Sequence, residues 1–326
     1  MNFVHIVFIF IGTASISFLG TKFLLGFLEN KRIFDTPNER SSHKKPVPKG
    51  GGIVVIGAVI IAMVVIFYSH GETYLPLIIA TLILAVISWI DDLKELPARL
   101  RLTAQFITVT FVLLMMPPSE PYFHRIIPNW LELVAVAFIW VWFINIFNFM
   151  DGIDGITAVE TISIGTGLFF IIFISGELSE IALSGLVLAA SALGFIWWNW
   201  SPSQLFLGDV GSIPLGFIIG WLLLQILPTP LWPISIIIPL YYLSDATITL
   251  LIRCLNRERF WLPHRKHFYQ LATSRGLSHA HVSSTILILN ICLIAWAWFS
   301  IAFPFISIFC AGLCVLLTLF YFRGIT

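Results

Sequence analysis

The sequence predicts an all-α integral membrane protein, a bundle of about eleven (10–11) transmembrane helices forming one polytopic domain over residues 1–326. Three observations predict it. Apolar stretches run for about 18 to 22 residues, the length needed to cross a roughly 30 Å hydrocarbon slab. Hydrophobic residues make up 58% of the chain and charged ones 11%, whereas a soluble domain carries about 25% charged residues. Lys and Arg gather in a few loops instead of spreading over a surface. A soluble globular enzyme, a disordered chain and a coiled coil are excluded, and a net charge of +1 gives no reason to expect nucleic acid.

The spans are expected at 3–28, 51–69, 74–90, 102–117, 130–149, 157–175, 181–200, 212–227, 233–253, 283–302 and 305–322. Backbone polar groups in lipid must be paired within the segment, so these runs are helices. The first lacks a basic leader and a small-residue cleavage pattern, so it reads as a retained span. Gly50-Gly51-Gly52 leads into the second, Asp91-Asp92-Leu93-Lys94 ends the third, and the basic stretch 91–101 precedes the fourth. The fifth and sixth meet at Asp151–Gly155, Asn199 closes the seventh, and Phe206–Ser212 introduces the eighth. A polar segment, 254–282, follows the ninth, and Pro304 divides the last two. Cys254, Cys292, Cys310 and Cys314 lie in or beside apolar segments, so no disulfide framework is implied.

Orientation follows from the basic residues, which favour cytoplasmic loops. With the N-terminus outside and the C-terminus cytoplasmic, 16 of the 18 Lys and Arg fall inside, leaving Arg125 outside and Lys22 able to snorkel from the first helix. The same topology places Asp91, Asp92, Asp151, Asp154 and Asp209 on the cytoplasmic face, from three separate loops. Loops 29–50, 91–101, 148–156, 201–211 and 254–282 are therefore expected to form one inward-facing site.

Five motifs carry chemistry. Asp91-Asp92 is either a cation-associated or proton-accepting pair, or a solvated helix end. In Asn145-x-x-Asn148-x-x-Asp151-Gly152-Ile153-Asp154-Gly155, amide and carboxylate oxygens converge on a turn that suits Mg²⁺ or a polar ligand. Phe206-Leu-Gly-Asp209-Val-Gly-Ser212 offers amides and a positive helix end to a phosphate with its metal, or simply caps a helix. His264-Arg265-Lys266-His267 makes a cationic patch for phosphates, or only positive-inside loop charge. A zinc site is the rival idea, against which the lack of a cysteine or carboxylate within the patch counts. Arg40–Gly52, with Lys45 in it, contacts a lipid phosphate or nucleotide, or anchors the chain on lipid. Asp245, inside the ninth span, is a functional candidate or a quietly paired group.

These loops, in this order and on this topology, resemble the polyprenyl-phosphate N-acetylhexosamine-1-phosphate transferases, over about residues 31–270. The resemblance implies that Asp91, Asp92, Asp151 and Asp154 are catalytic and that Asp209 holds Mg²⁺, with Asp151 as a second candidate ligand and Mn²⁺ able to substitute. It places Asn148, Gly152, Ile153, Asn199 and Phe206 at the nucleotide, Lys45, His264, Arg265 and His267 at phosphates, and Asn199 and Phe206 with Gly152 and Ile153 at the uridine. The implied partners are a UDP-N-acetylhexosamine, undecaprenyl phosphate and membrane lipid, with a homodimer among the assemblies. The implied location is the bacterial inner membrane, and the implied product initiates O-antigen or cell-envelope polysaccharide. The translocase branch of this superfamily carries three consecutive histidines in the last loop. This chain reads His264-Arg-Lys-His267-x-Tyr269-Gln270, similar to the O-antigen-initiating branch, which argues against a peptidoglycan precursor. Two other classes compete: a Mg-dependent intramembrane prenyltransferase, which wants a second paired-Asp element, and an ion-coupled transporter or flippase, which wants ionisable groups at mid-bilayer.

Overall fold

The computed structural model describes residues 3–37, 45–70, 74–118, 120–123, 125–176, 180–258 and 264–324. Arg40, His43 and Lys44 of the basic loop and Arg259 of the later polar segment lie outside them. The described residues are nearly all helical: α1 (Phe3–Lys31), α2 (Gly52–His70), α3 (Leu75–Lys94), α4 (Ala98–Met115), α5 (Asn129–Phe149), α6 (Ile156–Ile174), α7 (Glu180–Asn199), α8 (Asp209–Ile226), α9 (Trp232–Ile237), α10 (Leu240–Leu255), α11 (Phe268–Ser274), α12 (His279–Phe299) and α13 (Pro304–Arg323). Among the described residues nine of these are long and apolar enough to cross a bilayer, and α2 carries a shorter apolar stretch, Gly52–Tyr68. A two-residue antiparallel ladder pairs β1 (Phe34–Asp35) with β2 (Val47–Pro48) across the first polar loop.

Three expectations need correcting. The expected helix 233–253 is two helices, because Pro239 supplies no amide and α10 restarts immediately after it. The eighth helix begins at Asp209, three residues before the expected 212, so Asp209 is a first-turn residue. The segment 254–282 is not a plain loop, since it contains α11.

Between apolar helices in lipid there is little hydrophobic drive, so close packing and small residues do the joining. Helices α6 and α7 meet where Gly165 lies on the Gly185 carbonyl. Trp140 of α5 stacks on Phe217 of α8 at 4.8 Å, and its indole N–H donates to the Phe217 carbonyl at 2.9 Å. A close backbone approach concerns the candidate site. Gly52 opens α2 directly against the backbone of Gly211 in α8, leaving no room for a side chain. Just before it, residues 48–52 are laced to the strand entering α8. Phe206 N–H donates to Pro48 O, Gly50 and Gly51 N–H donate to Phe206 O, and Gly52 N–H donates to Leu207 O at 2.8 Å. This lacing sets Lys49 beside the end of α3.

A methyl group at Gly52 must push α2 off α8. We expect Gly52→Ala to cost about 1–3 kcal/mol, read as a lower thermal midpoint in detergent. An unchanged midpoint would show that α2 and α8 separate freely.

Candidate active site

The helix ends bring four of the five expected aspartates together. Asp92, in the last turn of α3, has a side chain 1% exposed and is fully occupied. Lys49 Nζ lies 2.6 Å from its Oδ1, while the Asp209 and Val210 amides donate to it at 3.0 and 2.9 Å. Asp92 therefore caps α8 from another helix, using the positive end of the helix as a capping side chain does from within. Gly208, with φ +78°, turns the chain just before this cap, and a Cβ there would stand 2.7 Å from Asp92 Oδ2. The expectation that the first amides of α8 lie open to a phosphate is corrected: Asp92 takes them.

Asp91 and Asp92 do not act as one pair. Asp91 Oδ1 accepts the Leu96 amide at 2.6 Å, and its Oδ2 lies 2.8 Å from Arg101 Nη1. The same nitrogen reaches Asp209 Oδ2 at 3.4 Å. Asn148 Nδ2 donates to Asp209 Oδ1 at 3.0 Å and to Ser212 Oγ at 2.9 Å. Asn145, three residues earlier, turns instead to Gln105 of α4 at 2.6 Å.

Asp151 is half-buried in the turn between α5 and α6. Burial pushes its carboxyl up to about 7; the negative charges of Asp209 and Asp92 add to this, against a hydrogen bond from Thr157 and the charge of Lys49. Burial alone would lower the pKa of Lys49, but Asp92 and Asp209 hold it above the usual lysine range, so it stays charged. When all four carboxylates (Asp91, Asp92, Asp151 and Asp209) are ionised, Lys49 and Arg101 leave an excess of two negative charges. That donor chemistry suits a hard divalent cation. Among the described residues, no three carboxylate or histidine groups stand where they could hold a metal by themselves.

Other expected site residues serve the scaffold. Asp154 lies 3.2 Å from His279 Nδ1 and accepts the Ser203 amide at 3.3 Å. Burial raises its pKa, but His279, Ser201 and Ser203 outweigh this and hold the carboxyl below its usual range, so it fastens the α5–α6 turn to α12. Asn199 is spent on backbone: its Oδ1 accepts the Gly155 amide at 3.0 Å and its Nδ2 donates to Leu205 O at 2.9 Å. Asn199 thus ties the α5–α6 turn to the segment before α8, and it is 5% exposed. Ile153 is buried in the core, and Gly152 sits tight against the Tyr269 hydroxyl. Phe206 is half-exposed, with its backbone committed to 48–51. Lys45 is exposed, and Lys49 is the basic residue that enters the cluster.

Asp245, with no exposure, proves to be a second cap of the same kind. It accepts the Phe268 and Tyr269 amides at 2.9 and 3.1 Å and the Tyr241 hydroxyl at 3.0 Å, so α10 carries the N-terminus of α11. His267, 4% exposed, lies 3.4 Å from Asp245 and between the rings of His264 and Tyr269. It is enclosed, against the expectation of a phosphate contact. Burial, then the positive charges of His267, Arg253 and Lys266, pushes His264 down to about 4, so its ring is neutral at pH 7. Lys266 is paired with Glu258 at 2.6 Å. Arg265, half-buried, is the remaining cation of the expected patch.

Arg101 is a site residue that sequence reasoning counted only as loop charge, and Lys49 lay inside the basic Arg40–Gly52 motif without being singled out from it. The available signal was position: each stands within a turn of a helix start, facing a motif loop.

Fold and site together define a polytopic membrane protein with an anionic, cation-bridged centre built from helix ends. Comparison with known proteins specifies the class. The family model described as "Glycosyl transferase family 4" matches residues 74–227, which hold Asp91, Asp92, Arg101, Asn148, Asp151 and Asp209. A probable undecaprenyl-phosphate N-acetylglucosaminyl 1-phosphate transferase of Bacillus subtilis is 30% identical over 255 residues, covering 75% of this chain and 71% of that protein. A phospho-N-acetylmuramoyl-pentapeptide-transferase of Deinococcus radiodurans is 25% identical over 266 residues, 74% of this chain and 80% of that protein. The chain belongs to glycosyl transferase family 4 and is a membrane transferase.

Losing the Asp92 carboxylate leaves Lys49 and two amides without their partner. Asp92→Ala is expected to cost about 3 kcal/mol, and Asp92→Asn, which keeps an acceptor for the amides, less. The check is thermal unfolding of both variants; a wild-type midpoint for Asp92→Ala would remove Asp92 from the scaffold.

Proposed function

We propose that this enzyme transfers an N-acetylhexosamine-1-phosphate from a UDP-sugar to undecaprenyl phosphate at the cytoplasmic face of a bacterial inner membrane. A lipid-phosphate oxygen attacks the β-phosphorus, the bond from that phosphorus to the bridging oxygen breaks, and UMP leaves. The observation that carries this reading is the cluster of Asp91, Asp92, Asp151 and Asp209 on helix ends, with Lys49, Arg101 and Asn148 among them. Two anionic reactants can meet only where their charge is neutralised. The name of the Bacillus subtilis relative supports an undecaprenyl-phosphate acceptor.

The roles divide by exposure. Asp209, 22% exposed, would hold the divalent cation, Mg²⁺ or Mn²⁺, with the substrate's phosphates completing its shell. Such a cation supplies charge neutralisation and Lewis acidity at the transferred phosphoryl group. Asn148 aims Asp209 by holding its other oxygen. Asp92 cannot accept a proton from the lipid phosphate, because its oxygens are engaged, and Asp91 is locked to Arg101 and Leu96. Asp151, with a carboxyl near neutrality, takes that role from them. Arg265, half-buried, would contact the nucleotide's phosphates.

Undecaprenyl phosphate and a panel of UDP-N-acetylhexosamines, UDP-N-acetylglucosamine first, should release UMP only with Mg²⁺ or Mn²⁺ present. Asp209→Asn should lower turnover by at least about a hundredfold, the scale of one lost electrostatic contact to the transition state, with its helical spectrum intact. Full activity in chelator, or full turnover of that variant, would sink the assignment of Asp209.

Sidedness has its own test. In a chain whose four cysteines are replaced by serine, Gly276→Cys should react with an impermeant thiol reagent only from the cytoplasmic side, and Ala302→Cys only from outside. The reverse pattern would put the site on the wrong face.

A further inference from the structure

We propose that Arg101 is a displaceable counter-ion, holding the Asp209 carboxylate in the absence of a divalent cation and yielding it when one binds. The inference rests on Asp209 being the cation's carboxylate, and it assigns a role to a residue outside the aspartate motifs.

The two limbs of the Arg101 bridge are unequal. One nitrogen, Nη1, serves both carboxylates, at 2.8 Å from Asp91 Oδ2 and 3.4 Å from Asp209 Oδ2. The paired-donor fork that makes arginine–carboxylate bonds strong is therefore used on neither. Asp91 is the fixed end: its side chain is 6% exposed and its other oxygen is pinned by the Leu96 amide. Asp209 is the loose end, at the limit of hydrogen-bond range and 22% exposed. Its Oδ1 already accepts from the neutral Asn148 amide, so Oδ2 is the oxygen whose cation can be exchanged.

The neighbouring charges point the same way. Lys49 is committed at 2.6 Å to Asp92, whose oxygens also hold two amides of α8, so it cannot shift to Asp209. Arg101 alone is shared. A divalent cation held by Asp209 would compete with a single, divided positive charge at the longer distance and repel it. Arg101, still anchored on Asp91, then has its other N–H donors free for a phosphate oxygen.

The test is Mn²⁺ binding to the full-length protein in detergent, without nucleotide or lipid, followed by the electron paramagnetic resonance of free Mn²⁺. Arg101→Gln should bind Mn²⁺ about tenfold more tightly than wild type, the scale of removing one neighbouring unit charge at a partly exposed site. Arg101→Met, which keeps the stem and loses the charge, should show the same gain. Arg101→Lys should stay within about twofold of wild type. Adding Asp209→Asn to Arg101→Gln should abolish the gain. Equal or weaker binding by folded Arg101→Gln and Arg101→Met would overturn the proposal and make Arg101 a fixed strut. If wild type binds Mn²⁺ no better than Asp209→Asn, and Arg101→Gln does likewise, the cation reading itself fails and takes this inference with it.

Discussion

The structure depends on a carboxylate of one helix capping the N-terminus of another. Asp92 of α3 holds the first amides of α8, and Asp245 of α10 holds those of α11. A helix start leaves amide groups without an internal partner and concentrates partial positive charge. Both capping carboxylates are buried from water, so leaving those groups unpaired is costly. A carboxylate from a neighbouring helix satisfies the amides and fixes the distance between two helices at the same time. A capping residue within the same chain segment does only the first.

The Asp92 cap shapes the active centre. It carries Asp209 on the first turn of α8 and draws Lys49 into the same point, where the lacing of 48–52 onto 206–207 supports it. With Lys49 so engaged, Asp91 and Asp209 share one further cation, Arg101, and Asp151 adds a carboxyl with no ion pair of its own among the described residues. The negative excess is thus a consequence of how the helices are joined. It also gives the centre its chemistry, since a site that must bring two anions together needs places for mobile positive charge.

Several residues that read as ligands from sequence are fasteners. Asp154, Asn199 and His267 are polar, lie in motif loops and are placed by resemblance at substrate. Asp154 is engaged with His279 and Ser203 and Asn199 with Gly155 and Leu205, while His267 is enclosed beside Asp245. The α5–α6 turn, the segment before α8 and the first turn of α11 leave amides and carbonyls without partners inside a helix, and those groups require partners. A polar side chain near such a turn meets that need before it meets a ligand. Sequence spacing alone does not distinguish the two uses.

Composition and run length sufficed for the helical membrane class, because the bilayer sets both the length and the polarity of any segment that crosses it. The gathering of aspartates was legible too, since alternating spans bring every second loop to the same side. Asp209 between glycines and the Asn148 spacing marked positions that do converge. The break at Pro239, the short helix α11, and the choice of Lys49 over Lys45 belong to the tertiary structure. So do the division of Asp91 from Asp92 and the bridge made by Arg101. These depend on which helix ends touch and at what distance. Adjacent residues in sequence diverge by about 100° around a helix, so Asp91 and Asp92 reach different partners although nothing separates them along the chain.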